Sequence, residues 1–214
     1  MILPKAIQQS AARLLSTVLG HDYQVEGFHP VSGGCINAAG RLDTDQGPFF
    51  IKWNNAAAYP GMFAAEKEGM EALYAPQVIR VPQMIGVGEA GAEDFLLMEW
   101  LESAPQQANF FSHFGRQLAR LHRHTETQYG FTQDNYIGSL PQSNRWQDEW
   151  VPFMIEERLS PQLQRARDGG FFDHSTVQQF ERLYKALPDL LPEEPPSLLH
   201  GDLWSGNYLV GPEG

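Results

Sequence analysis

The sequence is poor in several things that would commit it to common fates. It has one cysteine, Cys35, in 214 residues. That excludes an internal disulfide and a cysteine-built zinc site. Positive charge is also scarce: 15 Lys and Arg stand against 26 Asp and Glu, a formal net charge of −11. A broad basic face for nucleic acid or anionic membrane is not available from this balance, though a local cationic site for a phosphate stays open. No apolar run approaches a membrane span, and Gln8, Gln9 and Ser10 interrupt the N-terminal stretch that a signal peptide would need to keep apolar. There is no internal repeat. With 42% hydrophobic and 19% charged residues, the remainder is an ordinary globular mix. A reducing compartment, most simply the cytoplasm, is the expectation.

The chain changes texture near Leu101. Before it, a short helix is expected over residues 7–19, with Ile7, Leu14, Leu15, Val18 and Leu19 as its buried stripe. Strands follow at Val25–Val31, Ala38–Leu42 and Phe49–Trp53, then a helix over Met62–Tyr74, then strands at Ile85–Val87 and Phe95–Met98. After Leu101 the pattern is helical: 110–124, 146–167 with Trp146 and Trp150 on one face, and 175–187. A Gly- and Pro-containing loop spans 129–144, and a strand is expected at Tyr208–Val210. The fold class is therefore α+β. It has a strand-rich part over 1–101 and a helical part over 102–214.

The strongest chemical signal is His200-Gly201-Asp202-Leu203-Trp204-Ser205-Gly206-Asn207. Phosphoryl transfer to a hydroxyl needs a carboxylate to take the alcohol proton and an amide oxygen to hold a metal ion. Asp202 and Asn207, five residues apart on a glycine-containing loop, are that pair. The bland alternative is an Asx-turn loop. Lys52 closes the strand FFIKW, where its ammonium could reach nucleotide phosphates. A glutamate on the following helix, Glu66, Glu68 or Glu71, could be its carboxylate partner. Ser32, Gly33, Gly34 and Cys35 join the first two strands and could offer backbone N–H groups to phosphate, or form an ordinary hairpin turn. The backbone at Glu99 and Leu101 sits where a hinge would hold an adenine edge. Trp204, between base and metal ligand, is the best substrate contact. Cys35 is a small turn residue or a thiol activated by an electropositive loop. His122, His124 and His200 make a poor metal set, because i, i+2 spacing on a helix points side chains apart.

LLHGDLWSGN, SGGCIN, FFIKW, MFAAEKEGMEAL, YGFTQDNYIGSLPQSNRW and RLSPQL together resemble the fructosamine kinase (ketosamine-3-kinase) family, within the fold shared with aminoglycoside and choline phosphotransferases. The resemblance covers about residues 7 to 210. It implies a two-lobed kinase-like fold with a five-stranded antiparallel sheet and a helix in the first lobe, and a mainly helical, incomplete second lobe. The implied activity is ATP- and Mg2+-dependent phosphorylation of the 3-hydroxyl of a ketosamine or glycated lysine, whose unstable 3-phosphate then releases the amine. By the motif match, Asp202 is the base, Asn207 a metal ligand, Lys52 and Glu66 the phosphate-side pair, and Ser32 to Cys35 the nucleotide loop. Asn135 and Trp204 carry over as substrate contacts, and Cys35 as a redox residue able to link two chains. The family has a second metal aspartate on a later strand, followed by helices. Neither is in these 214 residues, so a shortened kinase with exposed apolar surface and little turnover is expected. A related phosphotransferase acting on an aminoglycoside or choline-like amino-alcohol is the alternative, as is a chain that binds nucleotide without turnover.

Overall fold

The computed structural model describes residues 1–31 and 36–212. The chain divides into two compact units, one formed by Met1–Arg123 with Leu199–Gly214, the other by His124–Leu198.

The first unit is built on one antiparallel sheet. Its strands are β1 (Val25–Pro30), β2 (Ala38–Thr44), β3 (Gly47–Asn55), β4 (Met84–Ala90) and β5 (Glu93–Glu99), in the order β1-β2-β3-β5-β4. Helix α1 (Lys5–Leu19) precedes the sheet and α2 (Met62–Tyr74) lies between β3 and β4. Strand side chains alternate between faces, and this sheet buries both. Ile51, Trp53, Phe95 and Leu97 pack with Ile7, Ala11 and Leu15 of α1. Leu96 and Met98 pack with Phe63 of α2. The unbroken apolar run Phe95-Leu96-Leu97-Met98 is thereby explained: as a strand covered on both sides it has no polar face to present.

The α1 stripe differs from expectation at one position. Val18 is half exposed, while Ala11, which a hydrophobic count overlooks, is fully buried. Ile7, Ala11 and Leu15 recur at four-residue steps, so the close approach to β4 runs along that row and leaves Val18 at its edge. Ser10 Oγ donates to the Glu89 carbonyl (2.9 Å) and fixes the helix there.

Helix α3 (Phe110–Leu121) completes this unit with the loop from 199 onward. Residues 208–210 are not a strand. Tyr208 instead lodges against Phe110 and Phe114 of α3, with ring centres 5.8 and 5.2 Å away, and the Val210 carbonyl accepts one bond from the Ala104 N–H (2.8 Å). A strand needs a ladder of partners, and this single bond anchors the segment without making one.

The second unit holds a short hairpin, β6 (Asn135–Ile137) and β7 (Leu140–Gln142), inside the stretch expected to be loop. Its helices are α4 (Trp150–Phe153), which runs through a π-helical turn at Met154–Leu159 into α5 (Ser160–Asp168), and then α6 (His174–Leu190). Trp146 is not on the helix. Starting at Trp150 puts Pro152 in the first turn, where its missing N–H costs nothing. A start at 146 would have buried the proline in the helix interior. Trp146 is accordingly 41% exposed, whereas Trp150 stacks with Phe153 and Tyr129. Among the described residues no helix is long and apolar enough to cross a membrane.

Candidate active site

Two clusters of chemically able side chains lie in the first unit. On β3, Lys52 and its neighbour-but-one Asn54 point to the α2 face. Lys52 Nζ donates to Glu66 Oε1, and both side chains are mostly buried. The rival Glu71 is taken by Lys67, one helical turn away at 2.6 Å. A strand lysine held in this way cannot wander, so its ammonium is presented in one place.

The second cluster is the loop 200–207. Gly201 sits at φ +81°, a left-handed conformation that a side chain would resist. Asn207 N–H donates to the Trp204 carbonyl (2.9 Å) and closes a tight turn. Within that turn a Cβ on Gly206 would meet the Trp204 ring at 2.5 Å, so the indole can lie over the backbone only because residue 206 is glycine. The turn brings Asn207 back onto Asp202: Asn207 Nδ2 donates to Asp202 Oδ2 at 2.9 Å and to the Asp202 carbonyl at 2.7 Å. With nitrogen facing the carboxylate, the Asn207 carbonyl oxygen is left as the ligating atom. Asp202, Trp204 and Asn207 are all exposed, and the Asp202 N–H donates to His200 Nδ1 (3.3 Å). A carboxylate and an amide oxygen are hard donors of the kind Mg2+ takes, alongside waters and substrate phosphates. Among the described residues no group of three or more His, Cys, Asp or Glu could by itself hold a metal ion.

The remaining expected residues are distributed as follows. Ser32, Gly33, Gly34 and Cys35 lie outside the described residues. A dimer linked through Cys35 gains no support. The Glu99 N–H is already donated to the Gln83 carbonyl (2.9 Å), and its side chain binds Arg80. Asn135 belongs to the second unit, where its Oδ1 accepts from Gln142 Nε2 across the hairpin (3.0 Å).

The sequence reading missed a polar network in the second unit. Arg158, in the π turn, donates to the Ser143 carbonyl (2.5 Å), to Asn144 Oδ1 (2.6 Å) and to the Glu157 carbonyl (3.0 Å), and its guanidinium lies 4.5 Å from the Phe153 ring centre. Burial pulls its pKa down while Glu157 and Asp134 pull it up, and burial wins. Glu157 is buried and receives Arg145 at 2.8 Å. Burial pushes the Glu157 carboxyl up, but Ser143, Arg145 and Gln147 beside it outweigh burial and hold it below the usual carboxylate range. Arg145 is raised in return, chiefly by its hydrogen bond to Glu157.

The sequence model of the fructosamine kinase family matches residues 7–214. A Synechocystis protein described as a ketoamine kinase is 39% identical over 205 residues, which cover 94% of this chain and 68% of that protein. A chloroplastic protein-ribulosamine 3-kinase of Arabidopsis thaliana is 39% identical over 193 residues, 88% of this chain and 58% of that protein. The crystal structure of a Haemophilus somnus protein described as a fructosamine-3-kinase matches with a TM-score of 0.84 at 28% identity, over 95% of this chain and 68% of that one. A spectinomycin phosphotransferase shares the fold, with a TM-score of 0.53 at 15% identity over 95% of this chain and 65% of that one. The chain thus spans roughly three-fifths to two-thirds of the length of these proteins.

Proposed function

Because the chain belongs to the fructosamine kinase family, we propose that it transfers a phosphoryl group from ATP to the 3-hydroxyl of a ketosamine, a sugar adduct on a lysine or small amine. One observation carries the reading. A carboxylate and an amide are locked together on one loop, at 2.9 Å, in the same compact unit as a partly buried lysine–glutamate pair. In this role Asp202 accepts the proton of the attacking hydroxyl. Lys52, steadied by Glu66, faces the phosphates. Asn207 would hold Mg2+ through its carbonyl oxygen, and the Glu99 carbonyl and Leu101 N–H would meet the adenine. When bound, ATP supplies the phosphoryl group and Mg2+ neutralises charge on its oxygens. Trp204, exposed over Gly206, offers its indole to the sugar. Residues 1–101 form the nucleotide side and 102–214 the substrate side. The reaction fits a cytoplasmic setting, where ATP and free thiols coexist.

The test is turnover of fructosyl-lysine with ATP and Mg2+, compared with choline and kanamycin. Asp202→Asn should lower kcat by about 10²–10⁴-fold, the usual contribution of general base catalysis. A fall of less than about tenfold would remove Asp202 from that role. Turnover of choline or kanamycin alone would move the protein to another phosphotransferase activity.

A further inference from the structure

We propose that Asn54 is a positioning residue for the nucleotide site. The inference rests on the reading of Lys52 and Glu66 as the phosphate-side pair. Side chains two apart on a strand share a face, and side chains four apart on a helix share a face. Lys52 and Asn54 of β3 therefore confront Glu66 and Met62 of α2 as two parallel rungs. Lys52 meets Glu66, and Asn54 Nδ2 lies 3.2 Å from Met62 Sδ. The same amide also donates to Asn37 Oδ1 at 2.8 Å. Asn37 leads into β2 and stands two residues after 32–35, the segment that the family resemblance implies is the nucleotide loop. One side chain thus ties the start of β2 to the strand that carries the lysine and to the helix that carries the glutamate.

Stability does not account for an asparagine here. The residue is 7% exposed, and its Oδ1 is buried without a hydrogen-bond partner among the described residues. An unmet buried acceptor is a net cost, and a leucine of similar size would remove it. What leucine cannot do is hold Asn37. The residue's value therefore lies in registration of the three segments. A small displacement of groups that must act together is enough to weaken binding and turnover sharply.

This separates the positioning role from a merely structural one. Asn54→Leu should melt at or above the wild-type temperature yet bind ATP at least tenfold more weakly, read by displacement of a fluorescent ATP analogue from the full chain. Where turnover is followed, KM for ATP should rise while KM for the ketosamine holds. Lys52→Met is the positive control for lost nucleotide affinity. Asn37→Ala, which removes the acceptor at a half-buried position, should reproduce the weakening and stands in if Asn54→Leu does not fold. ATP binding by Asn54→Leu within twofold of wild type, or a loss explained by its unfolded fraction, overturns the inference alone. Failure of the wild-type chain to bind ATP overturns the kinase reading and the inference with it.

Discussion

Arg158 is the residue whose removal should be felt most in the second unit. Its guanidinium makes three hydrogen bonds, to the carbonyls of Ser143 and Glu157 and to Asn144 Oδ1, while lying against Phe153. Asn144 is 3% exposed, so its Oδ1 cannot turn to water when the guanidinium is gone. Arg158→Met keeps the stem and loses the fork. Hydrogen bonds to a charged group contribute about 1.5–3 kcal/mol each, an orphaned buried acceptor costs about 1–3 kcal/mol, and the terms overlap because they share one side chain. The contact with Phe153 adds about 0.5–1 kcal/mol. Against these stands the relief of no longer burying a cation, the same burial that lowers the pKa of Arg158. The net loss should be about 3 kcal/mol, or roughly 6–12 °C in Tm for a chain of this length. Arg158→Lys retains the charge without the planar fork and should lose about 2 kcal/mol. Urea unfolding followed by tryptophan fluorescence reads this unit through Trp146 and Trp150 once Trp53, Trp100 and Trp204 of the first unit are replaced by Phe in both proteins compared. A loss below about 1 kcal/mol for the methionine variant, the level of an exposed ion pair, would refute the network as a structural clamp.

Two further outcomes follow from the site and from α6. Gly206→Ala forces the Trp204 ring off the loop, since the new Cβ would lie 2.5 Å from it. That should lower kcat by roughly 10–10²-fold while ATP affinity stays within twofold, because Lys52 and Glu66 are untouched; unchanged kcat would show that the indole's seat does not matter. At the start of α6, Asp173 Oδ1 accepts from the N–H and the hydroxyl of Thr176, both at 2.8 Å, and the backbone bond first of all holds its pKa below the ordinary value. A carboxylate depressed on folding adds stability above its unfolded pKa, near 3.9, and that contribution disappears as pH falls through the lower folded value. Asp173→Ala should therefore lower Tm at pH 7 and match wild type near pH 2; an equal deficit at both pH values would mean the cap works without its charge.

Much of the first unit could be read from the sequence because its signals are local. The helix expected over Met62–Tyr74 has those bounds in the structure, and the order of three strands, a helix and two strands holds. Each strand carries its own alternation or apolar run, and turn residues punctuate them. The second unit was harder for reasons that are also physical. The strands of β6 and β7 are three residues each, too short for a period to show, and Pro141 argues against a strand. Trp146 and Trp150 have helical spacing, but the constraint that decides the helix start is Pro152, which lies beyond both. The π turn at Met154–Leu159 leaves no mark in a 3.6-residue pattern, and its buried residue is a glutamate, the type least expected there.

The same contrast runs through the candidate site. Asp202 and Asn207 were visible because both ends of their hydrogen bond fall within five residues of one loop. Asn54 and Asn37 are 17 residues apart, and Arg158 and Asn144 are 14 apart, so nothing in a local window joins them. Residues that perform chemistry have their type dictated by the reaction and can be recognised singly. Residues that hold them in place have their type dictated by a neighbour that only the fold supplies. Charge makes the point once more. The net −11 leaves no broad basic face, and Lys52 adds little local positive charge, since Glu66 already neutralises that ammonium. On the kinase reading, attraction for nucleotide must then come from backbone N–H groups and a metal ion, which composition does not count. An acidic chain is therefore no obstacle to a phosphate site, provided that its few segments are held in register, and that is the role the structure leaves for Asn54.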